Sequence, residues 1–515
     1  MSDATGPMLA ADGTPLKKSL AKSLRNRKIR ALLLIAPLLA FVLVTFIAPI
    51  GQMLLRSVEN HIVEDTLPET VAALASWDAN SGAVPDEAVF EALYLDLGLA
   101  VEQKLHTRLG SRLNYEETGM SSLFRKTGRR VGRFDTDAYA DAFQDIDAAW
   151  KDPATWVATF EDSTVRSALP LATRVWDRWA AYVSSEGDDP AEQKLEDYLS
   201  AALYYDLRDN DLPANAPANL AALDAAIAEI APVPLVEQFL DADEDWADLD
   251  VWTTMQTYSP RYTTGYFLNA VDMEKSPDGA IAKPENQQIY IKLFWRTLVM
   301  SLAITASCIL LGYPVAWLLA NLSSRTSNLL LILVLLPFWT SLLVRTSAWK
   351  VMLQDQGVIN DTLVWLGLVA TDDRLALINN QTGTIIAMTH ILLPFMILPL
   401  YSVMKTIPPT YLRAAKSLGA TNWTAFWRVY FPQSVPGIGA GSILVFILAI
   451  GYYITPEIVG GTSGIFISNR IAYHISSSLN WGLAAALGAI LLVLVLGLYW
   501  CYDKIVGIDN VKLGG

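Results

Sequence analysis

Six stretches of this chain are long enough and apolar enough to cross a membrane as helices. They lie at 31–55 and within 297–324, 326–344, 375–404, 429–456 and 471–502, and none contains an Asp, Glu, Lys or Arg. A spanning helix needs about 20 mostly apolar residues to cross a hydrocarbon core about 30 Å thick. One such run suits a buried core helix of a soluble protein; six do not. The first run follows Lys17, Lys18, Lys22, Arg25, Arg27, Lys28 and Arg30. That basic start resembles a secretory leader, but 25 apolar residues exceed a usual leader core and no small-x-small site ends them. An uncleaved anchor is expected.

The formal net charge of −14 hides an uneven distribution. Of 52 acidic and 38 basic residues, 43 and 17 fall within 57–290, a local net of −26, while the rest of the chain carries +12. An acidic, water-soluble segment is thus inserted into a basic, apolar protein. Basic residues collect on the cytoplasmic side. The seven at the start, Arg325, the four bases and no acid between 405 and 428, and Lys504 with Lys512 all fall on one side. Asp355, Asp372, Asp373, Glu457 and the insertion fall on the other. The expected topology has six spans with both ends in the cytoplasm.

Prolines stand inside or beside these runs: Pro37, Pro314, Pro337, Pro394, Pro399 and Pro436. Each removes a helix hydrogen bond, and only a packed bundle re-satisfies the freed groups at membrane depth. That favours a transport bundle over separate anchors.

The 405–432 loop is too elaborate for a plain connection, which takes about 2–8 residues. Thr410 to Leu418 reads as a short amphipathic helix, with Leu412, Ala415 and Leu418 on one stripe and Arg413 and Lys416 beside it. Gly419 is placed to stop it. A second short helix from Asn422 leads into the fifth run. Two helices hinged on a glycine and projecting from a membrane are built to dock.

This stretch resembles the EAA loop of permease subunits of binding-protein-dependent ABC importers: Ala414, Ala415, Gly419 and Phe431-Pro432 match in type and spacing, Ala420 belongs to the same loop, and Arg413 stands where a glutamate is usual. Leu336–Thr346, Leu393–Leu400 and Gly451–Pro456 with Gly460-Gly461 are similar to stretches of the spermidine/putrescine branch, so the resemblance covers about 300 to 505. It implies a type I importer permease: an all-α membrane protein of six helices, half of a translocation pore. It also implies an ATPase subunit dimer that consumes ATP and docks on 406–430, a second permease chain (homologous or identical), and a periplasmic solute-binding protein. The implied place is a bacterial inner membrane and the implied solute a polyamine. The insertion resembles nothing in that branch.

The expected segments are a basic N-terminus (1–30), a first span (31–56), a mainly helical extracytoplasmic insertion (57–290), a permease core (291–505) and a tail (506–515). The insertion is long enough for a core of its own, and Trp150, Trp156, Trp176, Trp179, Trp246 and Trp252 are available to build it. Its most acidic stretch, 241–250, lacks the glycine and terminal glutamate of a calcium loop and reads as a solvated face. Arg125, Lys126, Arg129 and Arg130 are expected to pair locally, not to bind nucleic acid.

No Gly-Lys pair occurs, so the chain holds no phosphate-cradling loop of the P-loop kind. His61, His106, His390 and His474 are scattered, and Cys308 and Cys501 lie far apart. Neither a catalytic site, a metal site nor a bound cofactor is expected. Polar groups at span depth are the functional candidates: Arg345, His390 and Glu457, with Tyr452 and Tyr453 offering aromatic faces to an ammonium group. The bland alternative for each is structural, an interfacial anchor or an interhelical bond. Three rival readings stay open: a permease for another small organic solute, an ion-coupled secondary transporter, and a sensor. The second lacks charges buried mid-span, and the third lacks a cytoplasmic signalling domain.

Overall fold

The computed structural model describes residues 16–277 and 279–506. The expected N-terminal segment up to residue 15 and the tail from 507, including Lys512, lie outside the described residues. Two units are distinguished, residues up to Ser57 and residues from Val58.

In the first unit, helix α1 (Leu16–Val42) passes through a π-helical turn, Leu43–Ile47, into α2 (Ala48–Arg56). The wide turn comes just before Pro49, which has no N–H to give to a regular ladder.

The second unit begins with the acidic segment, which is helical apart from one hairpin. Its framework is α3 (Pro68–Leu74), α4 (Glu87–Glu102), α5 (His106–Leu113), α6 (Asp137–Ile146), α7 (Pro170–Glu186), α8 (Asp197–Asp209), α9 (Leu235–Ala242) and α10 (Gly265–Ala270). Strands β1 (Met273–Ser276) and β2 (Gly279–Ala282) pair antiparallel, Met273 opposite Ala282. The sequence reading did not foresee the hairpin. All six tryptophans named above are buried in one hydrophobic core that runs from Val63 to Tyr258. The basic cluster pairs locally: Lys126 reaches Asp243 at 2.8 Å and Arg130 donates to the Asp241 carbonyl.

The acidic segment contains the same arrangement twice. Leu67-Pro68 and Leu169-Pro170 each open a helix, and the N–H of the third residue beyond each leucine is accepted by an aspartate from a neighbouring helix: Thr70 by Asp96 and Ala172 by Asp206, both at 2.7 Å. Those aspartates sit in matching sequences, Ala92-Leu93-Tyr94-Leu95-Asp96-Leu97 and Ala202-Leu203-Tyr204-Tyr205-Asp206-Leu207. Further on, Phe143, Asp147, Trp150, Asp152 and Trp156 recur with identical spacing as Phe239, Asp243, Trp246, Asp248 and Trp252. In both sets the two aspartates cap successive short helices. The second tryptophan of each set donates to the carbonyl of the first, at 3.0 and 2.9 Å. The halves interlock, α4 packing on α9 and α8 on α6. Much of the acidity is therefore structural, carboxylates holding helix N-termini.

The main helices that follow are α11 (Tyr290–Asn321), α12 (Ser324–Leu335), α13 (Leu342–Met352), α14 (Gln381–Thr406), α15 (Pro409–Ser417), α16 (Phe431–Gly451), α17 (Ile454–Val459), α18 (Ile467–Ser476) and α19 (Trp481–Val506). Their core is the packing of α11, α14 and α16 around Met396. Gly441 passes its sulfur so closely that a Cβ there would sit 2.6 Å away, and one at Gly312 would lie 3.1 Å from its Cγ. In lipid, such small-residue contacts carry much of helix association.

Five helical stretches among the described residues are long and apolar enough to span: 27–56, 290–321, 381–406, 422–451 and 481–504. The expected third span is not one helix. Its residues run through α12 and a 3₁₀ turn at Leu336–Trp339, then turn by 93° into α13. Pro337 and the extended backbone of Thr340 and Ser341 break it. Six spans result only if this bent pair counts as one. The expected sixth run is also divided, α18 ending before a turn with Leu479 at positive φ, so the last span starts at Trp481.

Burial on α4, with Glu196 nearby, pushes the Glu102 carboxyl up to about 7, although Tyr198 donates to it at 3.1 Å. A carboxyl raised in the fold contributes stability that is present below its unfolded pKa and is lost as pH rises through the folded one. Glu102→Gln is therefore expected to raise the unfolding midpoint of the purified full chain, followed by tryptophan fluorescence, by a few degrees at pH 8 and hardly at pH 5.

Candidate functional site

Two places gather polar and aromatic side chains outside the apolar packing of the helices. The first is the loop after α14. Helix α15 begins at Pro409, a residue suited to the first helical turn, and covers the predicted amphipathic segment. Leu412 and Ala415 are half-buried, Leu412 against the α11–α14–α16 core, while Arg413, Ala414 and Lys416 are exposed. Leu418 departs from the expected stripe: it follows the last helical residue and is 90% exposed. Gly419 adopts φ +90°, its N–H bonding the Lys416 carbonyl at 3.0 Å while the Ala420 N–H bonds the Ala415 carbonyl at 3.1 Å. This pair of bonds is the Schellman stop, which requires a left-handed residue.

Thr421 then caps the next helical turn, accepting the Thr424 N–H at 3.2 Å. A π-helical turn at Phe426–Tyr430 precedes Pro432 in the first turn of α16, the same device that precedes Pro49. Trp423, Phe426, Tyr313, Pro314 and Trp317 wall an apolar cavity of about 390 Å³ beside the loop. The loop is thus an exposed helix with a rigid stop, carried on the continuous 26-residue helix α14.

The second place lies where helices break. Arg345 and Trp349 are one turn apart on α13, and the Trp349 indole N–H donates to His390 Nδ1 on α14 at 3.0 Å. His390 therefore carries its proton on Nε2 when neutral. Arg345 lies within electrostatic reach of both His390 and Tyr452, and its Nε has no hydrogen-bond partner. Tyr452 and Tyr453 form the non-helical step between α16 and α17. The freed carbonyls of that step are met from α18: Ser468 Oγ donates to Ile450 at 2.7 Å and Asn469 Nδ2 to Tyr453 at 2.9 Å. The same Asn469 amide donates to Glu457 at 2.5 Å. A Thr346–Thr455 hydroxyl contact of 3.1 Å ties α13 to α17. All five candidate path residues thus lie on elements joined at one break in the bundle.

Sequence reading missed Trp349 and Asn469. Trp349 is four residues after Arg345, a helical spacing that signals a shared face; Asn469 lay just outside the apolar window used for the last span. Among the described residues no group of His, Cys, Asp or Glu is placed to hold a metal ion.

Residues 309–506 match the family described as binding-protein-dependent transport system inner membrane component. The spermidine/putrescine transport system permease protein PotB of Salmonella typhimurium (strain SL1344) is 38% identical over 216 residues, 41% of this chain and 74% of the relative. The inner membrane ABC transporter permease protein YdcU of Escherichia coli (strain K12) is 34% identical over 238 residues, 44% of this chain and 74% of the relative. A bacterial alginate ABC transporter, crystallised with an alginate pentasaccharide-bound periplasmic protein, aligns over 44% of this chain and 81% of its own with 20% identity and a TM-score of 0.36. The chain belongs to the family of inner membrane components of binding-protein-dependent transport systems: it is a permease of an ABC importer.

At Gly419 nothing lies within 4 Å of where a Cβ would be, so substitution there costs backbone strain alone. Ala should cost about 1 kcal/mol and Asn less, because Asn tolerates the left-handed region. Protease nicking of 409–430 in membrane vesicles is expected to rank Gly slowest, then Asn, then Ala.

Proposed function

We propose that this permease forms half of a pore for a polyamine handed over by a solute-binding protein, and that 406–430 is where the ATPase subunits engage it. The observation that carries the engagement reading is the α15 helix with its Gly419 stop. It presents Arg413, Ala414 and Leu418 outward on the end of α14, and α14 also bears His390. A push on α15 would reach the candidate path through one continuous helix. In this reading the bent pair counts as one span and both ends of the chain are cytoplasmic. The acidic segment faces the opposite side, and a second permease chain completes the pore. ATP is consumed by the partner ATPase dimer, and this chain itself performs no chemistry.

The polyamine assignment is supported by the relatives named as spermidine/putrescine permeases and by Tyr452, Tyr453 and Glu457. Aromatic faces attract ammonium groups, and a carboxylate pairs with them. An acidic segment at the pore mouth would also raise the local cation concentration, an effect that salt screens. A second reading, a solute bearing a carboxylate, is favoured by Arg345, whose guanidinium has an unused donor in the same cluster.

Uptake of labelled putrescine and spermidine by cells carrying or lacking this gene, in a strain without other polyamine systems, tests the assignment. ATP-dependent uptake that disappears on deletion is expected, with Glu457→Gln lowering it roughly tenfold, the worth of about 1.4 kcal/mol of transition-state stabilisation. Uptake unchanged by deletion would remove the polyamine. Loss with Arg345→Gln but not with Glu457→Gln would favour the carboxylate-bearing solute.

A further inference from the structure

The acidic segment is held to the membrane helices by three unusually specific contacts. Asp272, at the end of that segment, sits at φ +58° and is only 4% exposed. Its Oδ1 accepts the N–H groups of Ile289 and Tyr290 at 3.0 and 2.9 Å, and its Oδ2 accepts that of Ile291 at 2.8 Å. One aspartate therefore satisfies the opening turn of α11, where free N–H groups and the helix dipole favour a carboxylate. A non-glycine residue held in the left-handed region carries strain that its surroundings must enforce.

The second contact is at the start of α19. The Tyr266 ring of α10 lies flat against Gly482, where a Cβ would meet ring carbons at 2.3–2.6 Å. The ring is fixed from behind. Arg112 Nε donates to the Tyr266 hydroxyl at 2.8 Å, Arg112 pairs with Glu116 at 2.7 Å, and Asn269 donates to Glu116 at 2.8 Å. The third contact is Tyr115, whose hydroxyl donates to the Ser478 carbonyl in the turn between α18 and α19. There Ser478 Oγ and the Tyr290 hydroxyl bond the two ring nitrogens of the buried His474 at 2.8 and 2.9 Å. The turn is thereby linked to α11 as well. The segment making these contacts packs as interlocked halves around one aromatic core.

We propose that residues 58–289 move as one rigid body with the N-terminal ends of α11 and α19, and that Asp272 and the Tyr266–Gly482 contact are positioning elements of the transport cycle. The segment is then a mechanical part of the permease, not a module on a tether. A ligand or partner that engages it shifts those two helices directly. The proposal rests on the reading of the chain as a permease driven by a partner ATPase.

Spin-label distance measurements test it on the full transporter, purified with its companion subunits, with Cys501→Ser removing the exposed cysteine. One label pair joins Ser185 in the acidic segment to Lys292 in the first turn of α11; a second joins Lys292 to Leu418 beside the loop. Between the nucleotide-free and ATP-trapped states the second distance is expected to change and the first to stay constant. A shift of the first pair by more than about 5 Å, a one-turn displacement, would overturn the proposal. No change in the second pair would instead remove the driven-permease reading, and the proposal with it. Gly482→Ala and Asp272→Ala are expected to broaden the first distance, and the milder Asp272→Asn, which keeps one acceptor oxygen, to broaden it less. Narrow, unshifted distributions in all three would overturn the roles given to those residues.

Discussion

Backbone hydrogen bonding without water is the constraint on which this structure turns. A span that breaks in a membrane frees N–H and C=O groups that lipid cannot satisfy. Here the breaks are met by nearby side chains, some within the turn and some from neighbouring helices. Ser468 and Asn469 take the carbonyls released between α16 and α17. Thr340 Oγ1 bonds the Pro337 carbonyl at 2.8 Å in the turn before α13, and Thr384 Oγ1 bonds that of Gly464 at 3.2 Å. Groups recruited to satisfy a break are polar, and they bring the path candidates together. Asn469 illustrates the overlap, since one amide serves both the Tyr453 backbone and the Glu457 carboxylate.

The acidic segment shows the same logic in water. Its charge of −26 suggests a field, but many of its carboxylates are committed to local tasks. Asp147, Asp152, Asp162, Asp243 and Asp248 cap the helices that follow them. Asp96 and Asp206 cap helices from a distance, and burial pushes each up to about 6. Asp96 is compensated by Arg178 at 2.6 Å and Thr70 at 2.8 Å. Breaking such a buried pair costs more than the pair contributes, which fits their place at the centre of each repeated half.

The membrane class and the two short helices around Gly419 were legible from charge, hydropathy and amphipathic spacing, because lipid exposure demands long uncharged runs and leaves few alternatives. Gly419 was legible because a helix stop has a stereochemical requirement that glycine meets. The bend after Leu335 was not. A window free of charge reports solvent preference, not continuity, and Pro337 is tolerated in some spans and breaks this one. The division at 477–480 was hidden for the same reason. The duplication was present in plain view at Ala92–Leu97 and Ala202–Leu207, and in the matched Asp and Trp spacings. Averaging the segment into one acidic domain concealed it. The partnership of Trp349 with His390 depends on the turn after α12 and could not be read from spacing alone.

The central claim is that α15 and the residues around Gly419 are where an ATPase takes hold of this permease. A photo-cross-linking side chain at Leu418, 90% exposed and next to the helix stop, tests that most directly in membranes containing the whole transporter. The account predicts one dominant adduct, with the ATPase subunit, whose yield changes when ATP is trapped. Adducts absent from the ATPase, with the probe reacting only with lipid or water, would contradict it.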